Sequence, residues 1–311
     1  MGKIAFLFAG QGSQYPGMAK DLFENISAVH DFYGVAEAIR PGTLLQMFSG
    51  TEEELKKTEN TQPCLFLADL AGAIGLMENG IQPDVVAGFS LGEIVGLTVS
   101  GILERQQAFK LVCQRGRYMQ KLSEDVDGSM IAVLRMDKDK LQKLCKELEV
   151  YPVNYNCPGQ IVVSGESRKI ESLKEKLTEQ KVRFVDIPVG GPFHTPFMEK
   201  AAESIRKDFK EGKSYNLKKS SIPLYANKTA KPYSNDEEEM INTISDQVCN
   251  SVRWEETLLN MAKDGVDTFI ECGPGKTLSG FVKRTVEGAK IYSINDMDSL
   301  QNVIRELKKD A

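Results

Sequence analysis

The 311-residue sequence predicts an α/β protein, with a large domain built on a parallel sheet and a smaller βαββαβ domain inserted into it. Three observations carry that expectation. Apolar strands alternate with amphipathic helices from residue 3 to about residue 123, which is the pattern of a parallel sheet with helical crossovers. Between residues 128 and 188 the rhythm shortens, and beyond them the longer pattern resumes. Finally, DVVAGFSLGEIVGL, residues 84–97, puts a serine on the reversal between a buried strand and a helix. The expected division is therefore residues 1–127 with 189–311 for a discontinuous large domain, and 128–188 for the small one. A cleft between the two is the natural place for a ligand.

The first strand is expected over residues 3–8, running into AGQGSQYPGM. In the stretch around Ser90, Val85-Val86-Ala87 reads as a strand end, and Leu91 to Leu97 carries apolar residues at helical spacing. Gly88 and Gly92 leave room for the turn between them. This is the G-x-S-x-G pattern, in which a strained strand-to-helix turn lifts a serine hydroxyl over the end of a sheet. The helix behind it offers free N–H groups to an oxyanion. The plainer reading of five residues is a glycine-rich connection with a capping serine.

In the next helix, ERQQAFKLVCQRGRYMQKL, residues Ala108, Leu111, Val112, Met119 and Leu122 form one apolar stripe, and Arg115 falls within it. Arg117 points the opposite way. A guanidinium on a buried face needs an anion, either an internal glutamate or a carboxylate on a substrate. The short-rhythm segment then reads as strand SMIAVLRM, helix KDKLQKLCKELE, strand YPVNYN, turn CPG, strand QIVVSG, helix RKIESLKEKLTEQ and strand VRFVDIPV, a ferredoxin-like unit. IPLYAN and VDTFIECG resume the large-domain pattern as strands, with a helical segment around 246–263 between them, and NDEEEM at 235–240 reads as a solvated acidic loop and helix start.

Composition excludes several classes. A net charge of −5 and a pI near 5.4 lack the electrostatic footprint of a nucleic-acid protein. The six cysteines form no C-x-x-C pair and the two histidines are far apart, so neither a metal site nor a disulfide framework is expected. IAFLFAG is too short for a signal or membrane segment, and Phe6 stands where a myristoylation signal wants Ser or Thr. A cytoplasmic chain with no cofactor, no metal, no membrane contact and a monomeric state is the expectation. GPGKT at 273–277 lacks the first P-loop glycine, since Ile270 occupies it, and GQGSQYPG has Tyr15 where a dinucleotide fingerprint wants its third glycine.

A serine needs a base to become a nucleophile. His30 lies in ENISAVHDFYG, a polar-faced helix, and reads as solvent-exposed. His194 lies in VGGPFHTPFME, where the small domain hands back to the large one, among prolines and glycines that fix a loop. A lone histidine between aromatics is often only packed; the serine turn and the want of a rival base favour His194 as the base. No acidic residue near it is an evident partner, so a backbone carbonyl is expected to hold the imidazole in a Ser-His dyad.

These residues resemble the malonyl-CoA:acyl-carrier-protein transacylase family of fatty acid synthesis. FAGQGSQYPGM, NTQPCLF, GFSLGE, QRGRYMQ, NYNCPGQIVVSG, GPFHTPF, QVCNSVRW and ECGPGKTLSG occur in the family's order over nearly the whole chain. The resemblance implies a hydrolase-like α/β core with a ferredoxin-like subdomain. It implies a malonyl group carried from malonyl-CoA to the phosphopantetheine thiol of acyl carrier protein. Ser90 would be acylated and His194 would be its base. Gln11 and the Leu91 N–H would form the oxyanion hole, Arg115 would grip the malonyl carboxylate, and the Gln247 carbonyl would orient His194. Gln62 and Asn156 match pocket positions. The family usually has histidine before the nucleophile, whereas this chain has Phe89. Leu91 and Phe193 resemble the malonyl-selecting versions of related polyketide acyltransferases, which implies malonyl over methylmalonyl. A polyketide acyltransferase, an editing acylhydrolase, or a non-catalytic binding module are the rival readings.

Overall fold

The apolar run Ala5 to Phe8 is buried on both faces, as a strand in the middle of a parallel sheet must be. In the computed structural model, which describes residues 2–188, 191–211 and 214–309, it is the central strand β1 (Lys3–Phe8) of a five-stranded sheet. The others are β2 (Val85–Gly88), β7 (Leu224–Tyr225), β8 (Val266–Cys272) and β9 (Lys290–Ile294), in the order β7-β2-β1-β8-β9, all parallel. The register pairs Phe8 with both Gly88 and Cys272, so the chain leaves three adjacent strands at one level. Ligands of open parallel sheets bind outside that carboxyl edge.

The second sheet is antiparallel, made of β3 (Gly128–Leu134), β4 (Tyr151–Cys157), β5 (Gln160–Glu166) and β6 (Arg183–Ile187) in the order β4-β5-β3-β6. With the helices Lys138–Leu148 and Ser167–Glu179 covering one face, this is the βαββαβ unit expected from the sequence. The expected strand over 182–189 reaches Ile187, and Val189, where the large domain was expected to resume, lies outside the described residues, as do residues 1 and 311. Strand β4 is also bonded to the stretch that precedes the helix Trp254–Lys263. The Val252 N–H donates to the Val153 carbonyl at 2.7 Å and the Tyr155 N–H to the Val252 carbonyl at 2.9 Å.

Two elements differ from expectation. Alternation before residue 123 is not one strand to one helix: five helices separate β1 from β2. The last of them, Thr58–Glu78, is buried almost all round and acts as a core rod rather than an amphipathic cover. The segment 246–263 is two pieces. A 3-10 turn at Gln247–Cys249 and an extended stretch separate the helix Glu237–Asp246 from Trp254–Lys263, because Ser251 and Val252 bond to β4 instead of to the helix. Among the described residues no helix is long and apolar enough to cross a membrane.

The turn around Ser90 depends on missing side chains. A Cβ at Gly88 would stand 1.8 Å from the Gly92 carbonyl carbon, and one at Gly92 would stand 2.3 Å from the Phe8 carbonyl oxygen. Both obstacles are backbone, which cannot rotate aside. Gly92→Ala should therefore cost about 3 kcal/mol or more, or prevent folding. Gly96→Ala, four residues on, would meet only the tip of Leu224 at 2.5 Å, and should be much milder in the same denaturation experiment. Equal losses in the two variants would refute this account of the turn.

Candidate active site

The serine predicted at the elbow sits there. Ser90 has φ 53°, a left-handed conformation unusual for a side-chain-bearing residue, between β2 and the helix Gly92–Val99. His194 also has a positive φ, 62°, and strained residues of this kind gather at functional sites. Though 104 positions apart in sequence, the two meet: Ser90 Oγ lies 2.7 Å from His194 Nε2. His194 Nδ1 lies 3.0 Å from the Gln247 carbonyl and 3.1 Å from that of Asn250. Both partners are pure acceptors, so Nδ1 carries the proton and Nε2 offers its lone pair to the serine. No carboxylate takes part in this chain of contacts. His30 is exposed on the helix Ser27–Ile39, stacked on Phe23, far from this chemistry.

Burial pushes the His194 imidazole down to about 4, and the nearby Arg115 cation adds to the shift, against the two carbonyls that raise it. The imidazole is therefore neutral at physiological pH, in the form that can accept a proton.

Arg115 comes from the buried stripe of the helix Arg105–Asp125, as its spacing predicted, and Arg117 is exposed on the far face. The Arg115 side chain is 1% exposed. Its Nη2 donates to Ser90 Oγ at 3.2 Å and to Gln247 Oε1 at 2.8 Å, while Nε and Nη1 have no partner among the described residues. Glu93 is near enough to raise the guanidinium electrostatically, yet burial dominates and brings Arg115 down to about 10. Among the described residues no Arg-Glu bridge closes the stripe. Two unpartnered guanidinium nitrogens on a side chain bonded to the nucleophile are donors that a carboxylate could satisfy.

A cavity of about 310 Å³ opens beside Ser90 between the two sheets. Gln11, Leu91 and Phe193 line it, and so do Gln62, Asn156 and Phe89. The Leu91 N–H, at the start of the helix Gly92–Val99, has no acceptor recorded among the described residues, and Gln11 Nε2 makes only a 3.3 Å contact to Thr58 Oγ1. The amide oxygens of Gln62 and Asn156 are buried and unpartnered. Phe89 turns edge-on to Trp254 at 5.4 Å between centroids and lies 6.2 Å from Phe281, so an apolar cluster occupies the place where an imidazole was expected from the family pattern. Among the described residues no three His, Cys, Asp or Glu side chains gather as a metal would need.

Several contributors carried no role in the sequence reading. Asn250 supplies the second carbonyl to His194. Asn227 accepts from the Ser90 N–H at 2.7 Å, and its own N–H donates to Glu93 Oε2 at 2.7 Å. Tyr233 donates its hydroxyl to the other oxygen of Glu93, whose buried carboxyl is pushed up to about 7. The available signal for Asn227 was its place at the end of IPLYAN, just past a carboxyl-edge strand.

A serine at an elbow and a neutral histidine on one cavity, with a buried arginine bonded to the serine, define an acyl-transfer class of site. A family model described as acyl transferase domain matches residues 5–310. Malonyl CoA-acyl carrier protein transacylase from Bacillus subtilis is 35% identical over all of this chain and 99% of its own length, and that from Synechocystis is 33% identical over 97% and 100%. The solved malonyl CoA-acyl carrier protein transacylase of Clostridium perfringens superimposes with a TM-score of 0.93 at 33% identity, covering 99% of this chain and 98% of that one. A malonyl-transacylase solved in complex with its type II PKS acyl-carrier protein gives 0.92 at 31% identity, covering 98% and 99%. The chain belongs to the malonyl CoA-acyl carrier protein transacylase family.

Proposed function

We propose that the chain transfers a malonyl group from malonyl-CoA to the phosphopantetheine thiol of an acyl carrier protein through a malonyl-Ser90 intermediate. The observation that carries this reading is the placement of Arg115 Nη2 at 3.2 Å from Ser90 Oγ, in a side chain whose other two nitrogens are unpartnered among the described residues. A malonyl unit bonded to that oxygen has its carboxylate only two carbons beyond the ester carbonyl carbon, within reach of the guanidinium.

In the first half-reaction Ser90 Oγ attacks the thioester carbonyl and its proton passes to His194 Nε2. The Leu91 N–H and Gln11 hold the negative oxygen of the tetrahedral intermediate. The C–S bond then breaks, and CoA leaves as a thiol with the proton returned by His194. In the second half-reaction the carrier's thiol gives its proton to His194 and attacks the malonyl ester, and Ser90 recovers its hydrogen as the new thioester forms. Leu91 and Phe193, both buried against the cavity, crowd an α-methyl group and favour malonyl over methylmalonyl. Gln62 and Asn156 present their unpartnered amide oxygens to the substrate from the cavity lining. The setting is fatty acid biosynthesis in the cytoplasm with the chain acting as a monomer and needing no cofactor; the six cysteines are free thiols, as a reducing compartment keeps them.

Incubation with malonyl-CoA followed by intact-mass measurement tests the reading. A stable malonyl adduct on Ser90, lost on adding carrier protein, supports it. Rapid release of free malonate would make the chain a hydrolase, and no adduct would make it a binder.

The depressed His194 pKa gives a second test. A base must be unprotonated, so the acid limb of kcat/KM for malonyl-CoA should fall near pH 4, leaving activity level from about pH 5 through neutrality. Removing the Arg115 cation should move that limb upward, because a like charge no longer opposes protonation, while burial keeps it below the usual histidine value near 6.5. A wild-type limb near 6.5 would refute the assignment of His194 as a desolvated base.

A further inference from the structure

We infer that Asn227 is a positioning residue for the nucleophile, clamping the elbow so that Ser90 keeps its left-handed backbone and its aim at His194. The inference rests on the reading of Ser90 as the nucleophile. The geometry is specific: Asn227 straddles the turn with both ends of one amide. Its Oδ1 accepts from the Ser90 N–H at 2.7 Å, and its Nδ2 donates to the Gly88 carbonyl at 2.7 Å, two residues back on the strand. Those two bonds fix the orientation of the two peptide groups that flank Phe89, the second of which leads into Ser90, where φ 53° would otherwise be unfavourable.

The clamp is itself anchored. Asn227 is fully buried, and its own N–H is held by the Glu93 carboxyl at 2.7 Å, on the helix that leaves the elbow. Gln247 completes the frame by donating Nε2 to the Ser90 carbonyl at 2.6 Å and, at 3.4 Å, to Asn227 Oδ1. The Ser90 peptide is thus gripped from its N–H and its C=O by two side chains that arrive from 137 and 157 positions away. Asn227 touches no reacting atom. Its effect runs through the direction of the Oγ bond, where a displacement of about 1 Å costs on the order of 10²-fold in rate.

The test uses the full chain with Asn227→Ala and Asn227→Leu, the second keeping the side-chain volume while removing donor and acceptor. A fluorophosphonate probe reports the nucleophilicity of Ser90 without malonyl-CoA, and steady-state kinetics report the rest. The expected result is a fall of roughly 10²-fold in the labelling rate per folded molecule and in kcat, with KM for malonyl-CoA changed less than about threefold. Folded fraction is read by circular dichroism. Labelling within threefold of wild type in either folded variant overturns the inference. So does a loss that only tracks the unfolded fraction, or failure of both variants to fold, since each makes Asn227 merely structural. An unreactive Ser90 in the wild-type protein overturns the nucleophile reading, and this inference with it.

Discussion

Ser90→Ala should form no malonyl adduct and should lose roughly 10⁴- to 10⁶-fold in transfer rate, the scale seen when a hydrolytic nucleophile is removed with the rest of its site intact. The substitution deletes only the hydroxyl that lies 2.7 Å from His194 Nε2 and 3.2 Å from Arg115 Nη2. The backbone bonds that hold the turn, from the Ser90 N–H to Asn227 and to the Ser90 carbonyl from Gln247, survive it. Alanine is also no worse than serine at φ 53°. Thermal stability should consequently stay close to wild type, and malonyl-CoA should still bind. Intact-mass measurement after incubation checks the first point and a binding titration the second. An adduct that persists in this variant would place the acyl group elsewhere and sink the covalent mechanism.

Arg115→Ala should lower kcat/KM for malonyl-CoA by roughly 30-fold to several thousand-fold, on the order of 2 to 5 kcal/mol for truncating one partner of a buried charge pair. Acetyl-CoA has no carboxylate to lose, so its use should change far less and the preference between the two should collapse or invert. Arg115→Lys should fall in between, because an ammonium supplies charge without the two-pronged donor set. Arg117→Ala, on the exposed face of the same helix, should leave the ratio unchanged. The variant also leaves Gln247 Oε1 without its donor, a modest cost in stability of about 1 to 3 kcal/mol that a melting curve will show. Equal losses for malonyl and acetyl substrates would make Arg115 a structural strut.

What was legible in the sequence was what depends on near neighbours. Ser90 declares itself through glycines two residues to either side, and Arg115 through a stripe repeating every three or four residues, so both positions follow from chain geometry alone. The βαββαβ unit was readable for the same reason. Its strands and helices follow one another with connections of only a few residues. Asn227 and Asn250 were not, because their work is done across the fold: IPLYAN sets Asn227 past a carboxyl-edge strand, but nothing local to it or to QVCNSVRW says that the Asn227 amide will meet Ser90 or the Asn250 carbonyl His194. The split of 246–263 was hidden similarly, since the bonds that draw Ser251 and Val252 out of helix come from β4. The buried rod Thr58–Glu78 lacks a polar face, so periodicity could not rank it above a covering helix.

Gln247 gives its carbonyl to His194, its Oε1 to Arg115 and its Nε2 to the Ser90 backbone. One residue is therefore a common node for the base, the anion receptor and the nucleophile, and disturbances at any of the three reach the other two through it. Pairwise substitutions among Ser90, Arg115 and His194 should depart from additivity, with coupling energies of about 0.5 to 3 kcal/mol that shrink once Gln247 is itself replaced.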